Sequence, residues 1–331
     1  MKVSIFDVAR KSGLSVVTVS RVINQAGTVR DKNRQKVLQA MKELDYHPNA
    51  AARSLARGKT GIIGLAITTL NDSFLNEVVN EINDRLAEKG YFVALSVSAE
   101  VFTSFDNSMF QEDRVDGVIM LSPIEEDDYV MELKRKNIPF VMLDHQHTHS
   151  SVSSVIVDNY KGGYEATKHL IELGHTAIAH ICGPELYLSS SKRLLGYKDA
   201  MRDAGLQDFW IEQADYSISS GSQVANRWIQ AGKLPSAVFA SDDLIAFGVM
   251  DALKNEGYQI PRDVSIVGFD DHLFSTEFSP KLTTVRQPAD QMGKQGVDIL
   301  LQWIDGLSNP HVTVQLEPEL IIRESTRRHQ N

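Results

Sequence analysis

The chain has 331 residues, 42 % hydrophobic and 23 % charged content and a formal net charge of −9, a composition that excludes collagen, wholesale disorder and a membrane bundle and a length that suits more than one domain. No apolar run reaches the ~18–20 residues of a spanning helix, and the leading MKVSIFDVARKSG lacks the apolar stretch of a secretory signal. A single cysteine, Cys182, excludes an intrachain disulfide and a cysteine-based zinc cluster and points to reducing cytoplasm.

Charge is unevenly spread. Residues 1–58 carry eleven Lys or Arg against four Asp or Glu, a net +7 that leaves −16 on the remainder. A basic head on an acidic body is the footprint of a polyanion that only the head should touch. On charge alone, an inert basic module remains open. Ile5, Val8 and Ala9 recur at helical spacing and predict a helix over 5–12. Gly13 ends it, and Ser15 caps a second helix over 16–24 with Val19, Val22 and Ile23 as its apolar face. Asp31 is read as the cap of a third helix to about residue 44, with Val37, Leu38, Met41 and Leu44 along one side.

Three short helices with a glycine-containing turn have the pattern of a helix-turn-helix. In that geometry the second helix enters the major groove. Arg21 offers a fork to guanine, and Val16 and Val17 can pack on thymine methyls. Ser15, Thr18, Asn24 and Arg30 are placed to hold phosphates, which set register but not sequence. After Pro48, the segment NAAARSLARG predicts a short helix over about 49–57, too short to stand alone in water. Its Leu55 suits a wedge between minor-groove base steps; a plain linker is the alternative.

From residue 60 short apolar runs alternate with helical patterns. Strands are predicted at 62–68, 91–97, 116–121, 139–144, 154–158, 177–182, 237–241 and 264–270. Helices are predicted over 72–89, around 104–113, near 127–136, from about 159, around 190–204 and over 243–256. Such alternation means parallel sheets covered on both faces, here in two halves of about 60–158 and 160–286. Ligands in such folds bind beyond the carboxyl ends of the strands.

IFDVARKSGLSVVTVSRVINQAG, followed by LDYHPNAAARSLARGKTGIIGL, resembles the lactose-repressor/galactose-repressor (LacI/GalR) family of bacterial transcription factors, and the similarity covers nearly the whole chain. The resemblance implies a helix-turn-helix headpiece over 1–58 and a periplasmic-binding-protein-like core over 60–331. It implies three crossings between the lobes of that core, near 158–160, 287–289 and 317–320, so that the first lobe takes 60–158 and 289–317 and the second 160–286 and 320–331. It also implies a homodimer on a pseudo-palindromic operator, with hinge helices that form on DNA and insert the leucine matched by Leu55. A phosphocarrier protein replaces the effector in some members; nothing in this sequence supports one.

Polar residues at predicted strand ends define a candidate effector site: Asp144 and His145, Asp158 and Asn159, Ser241 to Asp243, and Asp270 with Asp271. Arg193, in SSSKRLLGY, stands where the family carries an effector-binding arginine. Carboxylates and a guanidinium match vicinal sugar hydroxyls, and Phe74, Tyr187 and Tyr216 offer apolar platforms for sugar rings. The expected contacts are therefore Arg193, Asp270 and Asp242, with Phe74, Tyr187, Tyr216, Asp158 and His145. Helix capping competes for Asp242 and better explains Asp243. His145, His147 and His149 alternate, yet they lead into a Ser-rich loop rather than a zinc site. No carboxylate pair stands out for glycoside hydrolysis, and no dinucleotide or P-loop signature is present. No cofactor or metal is expected. The resulting expectation is a repressor whose operator affinity is set by a sugar or sugar derivative between two lobes, and not an enzyme. A sugar-binding protein or carbohydrate enzyme would use the body alone and leave the basic head without a role.

Overall fold

The computed structural model describes residues 3–24, 28–47, 58–97, 114–123, 127–145, 152–207, 209–307 and 311–330. It divides into two compact units, Met1–Gly61 and Ile62–Asn331. The first contains α1 (Ile5–Ser12), α2 (Val16–Ile23) and α3 (Asp31–Glu43). The backbone N–H and hydroxyl of Ser4 both donate to Asp7, at 3.0 and 2.7 Å, and so start α1. Gly13 ends it at φ +69°, where a side chain would be strained. Val8, Ala9, Val19, Val22, Val37 and Ala40 form the small core, with Ile23, Met41 and Leu44 packed at its margin. Two expectations for α3 change. Leu38 is 52 % exposed, because it lies about 100° around the helix from Val37. Arg30 occupies the cap position and Asp31 is the first helical residue, so Asp31 acts through its charge in the first turn rather than as the cap.

The second unit contains two six-stranded sheets. The first is built from β1 (Ile62–Ile67), β2 (Phe92–Val97), β3 (Gly117–Leu121), β4 (Phe140–Leu143), β5 (Ser154–Val157) and β11 (Thr313–Leu316), ordered β11-β5-β4-β3-β1-β2. All its pairings are parallel, with Ile63 opposite Val93 and Leu121 opposite Leu143. The second uses β6 (Ile178–Cys182), β7 (Trp210–Gln213), β8 (Ala237–Ala240), β9 (Ser265–Asp270), β10 (Thr283–Arg286) and β12 (Glu319–Ile321), ordered β12-β10-β9-β8-β6-β7. Only β12 runs antiparallel, against β10. β3, β4, β6 and β8 are buried along their whole length, as expected of strands covered on both faces.

The helices α4 (Ser73–Glu88), α5 (Asp127–Arg135), α6 (Asn159–Glu172), α7 (Leu188–Asp203), α8 (Ile218–Gln230), α9 (Asp243–Asn255) and α10 (Ala289–Ile304) cover these sheets. Sequence reading left β7, α8, β10 and α10 unassigned, and the expected helix at 104–113 lies outside the described residues. The chain passes between sheets after Val157, after Arg286 and after Leu316. Pro288 precedes α10, which returns to the first lobe. There Arg85 of α4 forms a fork on Asp298, with contacts of 2.9 to 3.2 Å. The connections are tied together by Lys161 on Glu317 at 2.5 Å and Gln315 on Asp158 at 2.6 Å. None of the described helices is long and apolar enough to cross a membrane.

Candidate functional sites on the second helix and between the lobes

On α2, the Ser15 hydroxyl accepts from the Thr18 amide at 3.2 Å and meets the Thr18 hydroxyl at 2.9 Å. Ser15 is therefore the helix cap anticipated from the sequence. Val17 is 62 % exposed, and Arg21 is exposed one turn later. Val16 instead packs part of its surface on the headpiece core, so outward display belongs mainly to Val17 and Arg21. Asn24 follows the helix with its amide 3.4 Å from the Ser20 hydroxyl, and Arg30 is exposed. Leu55 and the expected helix over 49–57 lie outside the described residues.

In the larger unit, a cavity of about 340 Å³ opens beyond the strand ends of both sheets. Phe74, Tyr187, Arg193, Tyr216, Asp242 and Asp270 all line it. Arg193 reaches it from α7 and is 4 % exposed. Its Nε donates to Asn159 Oδ1 at 2.8 Å and its Nη1 to the Ser241 carbonyl at 2.5 Å. Its Nη2 lies 3.6 Å from Asp270 Oδ1, and the guanidinium stacks 3.6 Å from the centre of the Phe269 ring. Asp270 closes β9 at φ +106° and accepts from Gln287 Nε2 at 2.6 Å. Burial pushes its carboxyl well above the ordinary carboxylate range, against the pull of Arg193.

Asp242, not Asp243, caps α9, accepting from the Ile245 amide at 2.7 Å. The sequence reading of these two neighbours is thus corrected. Asp243 is the first helical residue, and its carboxylate is held by Thr284 at 2.6 Å and by Ser275 and the His272 amide at 2.7 Å. That set locks the start of α9 to β10 and the turn after β9. Burial raises both carboxyls to about 7. The Asp242 cap leaves its second oxygen available at the cavity.

Asp158 and His145 do not line this cavity. They line a smaller neighbour of about 230 Å³, which shares Asp144 and Ser189 with it. Asp158 caps α6 through the Lys161 amide at 2.9 Å, so a polar residue at a strand end served the next helix instead. Sequence reading singled out Asp144 only as a strand-end group and missed Asp72, Gln287 and His272, all of which line the main cavity. Asp72 caps α4 through the Leu75 amide at 3.0 Å, and the strand-end rule applied to β1 would have led to it. Gln287 follows β10, a strand that was not assigned. Among the described residues no group of three or more His, Cys, Asp or Glu is arranged to hold a metal ion; His147 and His149 lie outside them.

The family description "Bacterial regulatory proteins, lacI family" matches residues 4–49, and a periplasmic binding protein-like domain matches 167–326. The transcriptional repressor PurR of Vibrio parahaemolyticus is 34 % identical over 330 residues, covering 98 % of this chain and 99 % of that protein. The chain belongs to the LacI family of bacterial regulatory proteins. The lac repressor dimer bound to operator and the anti-inducer ONPF superposes with a TM-score of 0.86 at 31 % identity, covering 99 % of this chain and 100 % of that one. The complex of the transcriptional regulator CelR with cellobiose gives 0.75 at 30 % identity, covering 98 % and 100 %. As a LacI-family member, the chain is a DNA-binding transcriptional repressor with an effector-binding domain, and its relatives are regulators rather than enzymes.

Proposed function

We propose that this repressor acts in the cytoplasm as a homodimer on a pseudo-palindromic operator, and that a small carbohydrate in the interlobe cavity sets its affinity. The observation that carries this reading is the cavity itself. Arg193, Asp242 and Asp270 converge there with Phe74, Tyr187 and Tyr216, giving hydrogen-bonding groups for hydroxyls and rings for the apolar faces of a sugar. The sugar-bound CelR relative and the operator-bound lac repressor dimer support the same assignment. Dimerisation is further supported by Phe92, Leu95 and Val97, which stand exposed on β2, an edge strand of the first sheet.

On the DNA side, Val16, Val17 and Arg21 read bases, Leu55 wedges a base step, and Ser15, Thr18, Asn24 and Arg30 hold phosphates. Binding closes the lobes and shifts the dimer between states of unequal operator affinity. Fluorescence anisotropy on a palindromic operator library, with and without a sugar panel, tests this. Sequence-selective binding that one sugar shifts is the expected result. Absence of selective binding at low salt, or indifference to every small molecule in the panel, overturns it.

A further inference from the structure

The charged groups that line the cavity are mostly carboxylates. Among the described residues lining it are Asp72 and Asp144 from the first lobe and Asp242 and Asp270 from the second, with Arg193 the one arginine or lysine. Arg193 acts on all four carboxylates, yet its Nε and Nη1 are spent on Asn159 and the Ser241 carbonyl, and only Nη2 faces a carboxylate, 3.6 Å from Asp270. Asp215 stands at the rim, bound to the Ser217 hydroxyl at 2.5 Å, and Asp243 is occupied by Thr284, Ser275 and the His272 amide. The nearby imidazole does not redress the balance. His272 Nδ1 accepts from the Phe274 amide at 3.0 Å, which leaves a neutral ring with one N–H, and burial holds its pKa below the ordinary value.

A second observation is independent of charge. Gln287 is 6 % exposed, and its Oε1 has no hydrogen-bond partner while its Nε2 is spent on Asp270. A buried amide acceptor left unmatched at the cavity wall asks for a donor from a ligand.

We propose that the effector is an amino sugar, a carbohydrate whose protonated amine sits among Asp72, Asp144, Asp242 and Asp270. The proposal rests on the carbohydrate reading of the cavity and specifies its class. An ammonium ion brings three donors and a positive charge to a wall of carboxylates with an unmatched amide oxygen, while the ring hydroxyls and carbons meet the aromatic walls. Burial makes these carboxyls hold their protons more readily than free ones do, and an entering ammonium ion replaces those protons. Carboxylates from both lobes then share one cation, which favours the closed arrangement. A phosphorylated sugar would add negative charge to the same cluster and should bind more weakly.

The test is calorimetry and thermal shift on the full chain near neutral pH, with three matched sets of probes. These are glucosamine, galactosamine and mannosamine; glucose, galactose and mannose; and the hexose 6-phosphates. One hexosamine should bind about tenfold or more tightly than its neutral parent, since charge-assisted hydrogen bonds exceed neutral ones, and should release protons to the buffer. Asp242→Asn, which keeps a capping side chain, should narrow that gap while the variant remains folded. A neutral hexose or a phosphate that binds as well as the amine overturns the amino-sugar assignment and leaves the carbohydrate reading standing. Failure of every sugar, with a non-carbohydrate metabolite shifting the melting temperature, overturns both.

Discussion

Four carboxylates lie within the electrostatic reach of Arg193, and burial raises the pKa of each. Burial lifts Asp242 from its ordinary value of 3.8 to about 7. A carboxyl whose pKa is higher folded than unfolded adds stability that is complete below the unfolded value and is lost as pH rises through the folded one. For Asp242 the window therefore runs from about pH 4 to about pH 7. Asp242→Asn removes the titrating group and keeps the cap on Ile245. Its melting temperature should exceed that of the unaltered protein near pH 8, with the difference shrinking as pH falls toward about 5.5. A pH-independent difference between the two would show that the carboxylate is not strained by burial. On α2, Arg21 is exposed, as is Val17, and the proposed role of its fork is to meet a base edge. Arg21→Ala should lose ~1–3 kcal/mol at one operator position and little elsewhere, as measured by anisotropy on single-base operator variants. Equal loss on every sequence would make Arg21 a phosphate contact. Residue-scale legibility was uneven for a physical reason. A strand end followed by a helix offers its polar residue two uses, ligand contact and helix capping. Asp158 caps its helix and lines only the smaller neighbouring cavity, whereas Asp242 serves the cap and still lines the main one.

Elements were legible where one periodicity dominated. The strands β3, β4 and β8 are continuous apolar runs, β6 is broken only by the buried His180, and the helices α1 and α2 carry clean apolar faces. α8 was missed because ISSGSQ at its start is rich in residues that also make loops, and its helical state follows from packing on α9 rather than from propensity. Glycine positions within the helices carry a message that the sequence pattern alone did not show. Gly163 lies inside α6, where a Cβ would stand 2.4 Å from the Arg193 carbonyl oxygen and 2.8 Å from its Cα. Gly196 of α7 repeats the arrangement against the Tyr160 carbonyl at 2.2 Å. These two glycines let α6 and α7 touch backbone to backbone, and so place Arg193 over Phe269. Gly163→Ala should destabilise the core by ~1–3 kcal/mol through overpacking, seen as a lower urea midpoint with an unchanged slope. Because the collision falls on Arg193 itself, the same variant should bind the effector more weakly than its residual stability explains. Unchanged ligand affinity would separate the helix contact from the site.

For the whole molecule, charge is partitioned by task, with +7 on residues 1–58 and −16 on the rest. Operator binding therefore depends on salt through the phosphates that the head neutralises. A dimer covering six or more phosphates should lose about a thousandfold in affinity between roughly 50 and 200 mM salt. The proposed effector site lies elsewhere, in a cavity between the lobes whose charges are screened less by bulk ions than exposed ones are. Its coupling to DNA, ~1–3 kcal/mol in typical allosteric proteins, should keep nearly the same ratio of affinities across that salt range. Anisotropy titrations with and without effector at several salt concentrations give both quantities from one data set. Parallel lines on a plot of log affinity against log salt place the coupling in the conformational equilibrium of the core. Lines that converge at high salt would mean that the effector acts by changing the electrostatic repulsion between the acidic body and the duplex, and the two-state description of the lobes would have to be abandoned.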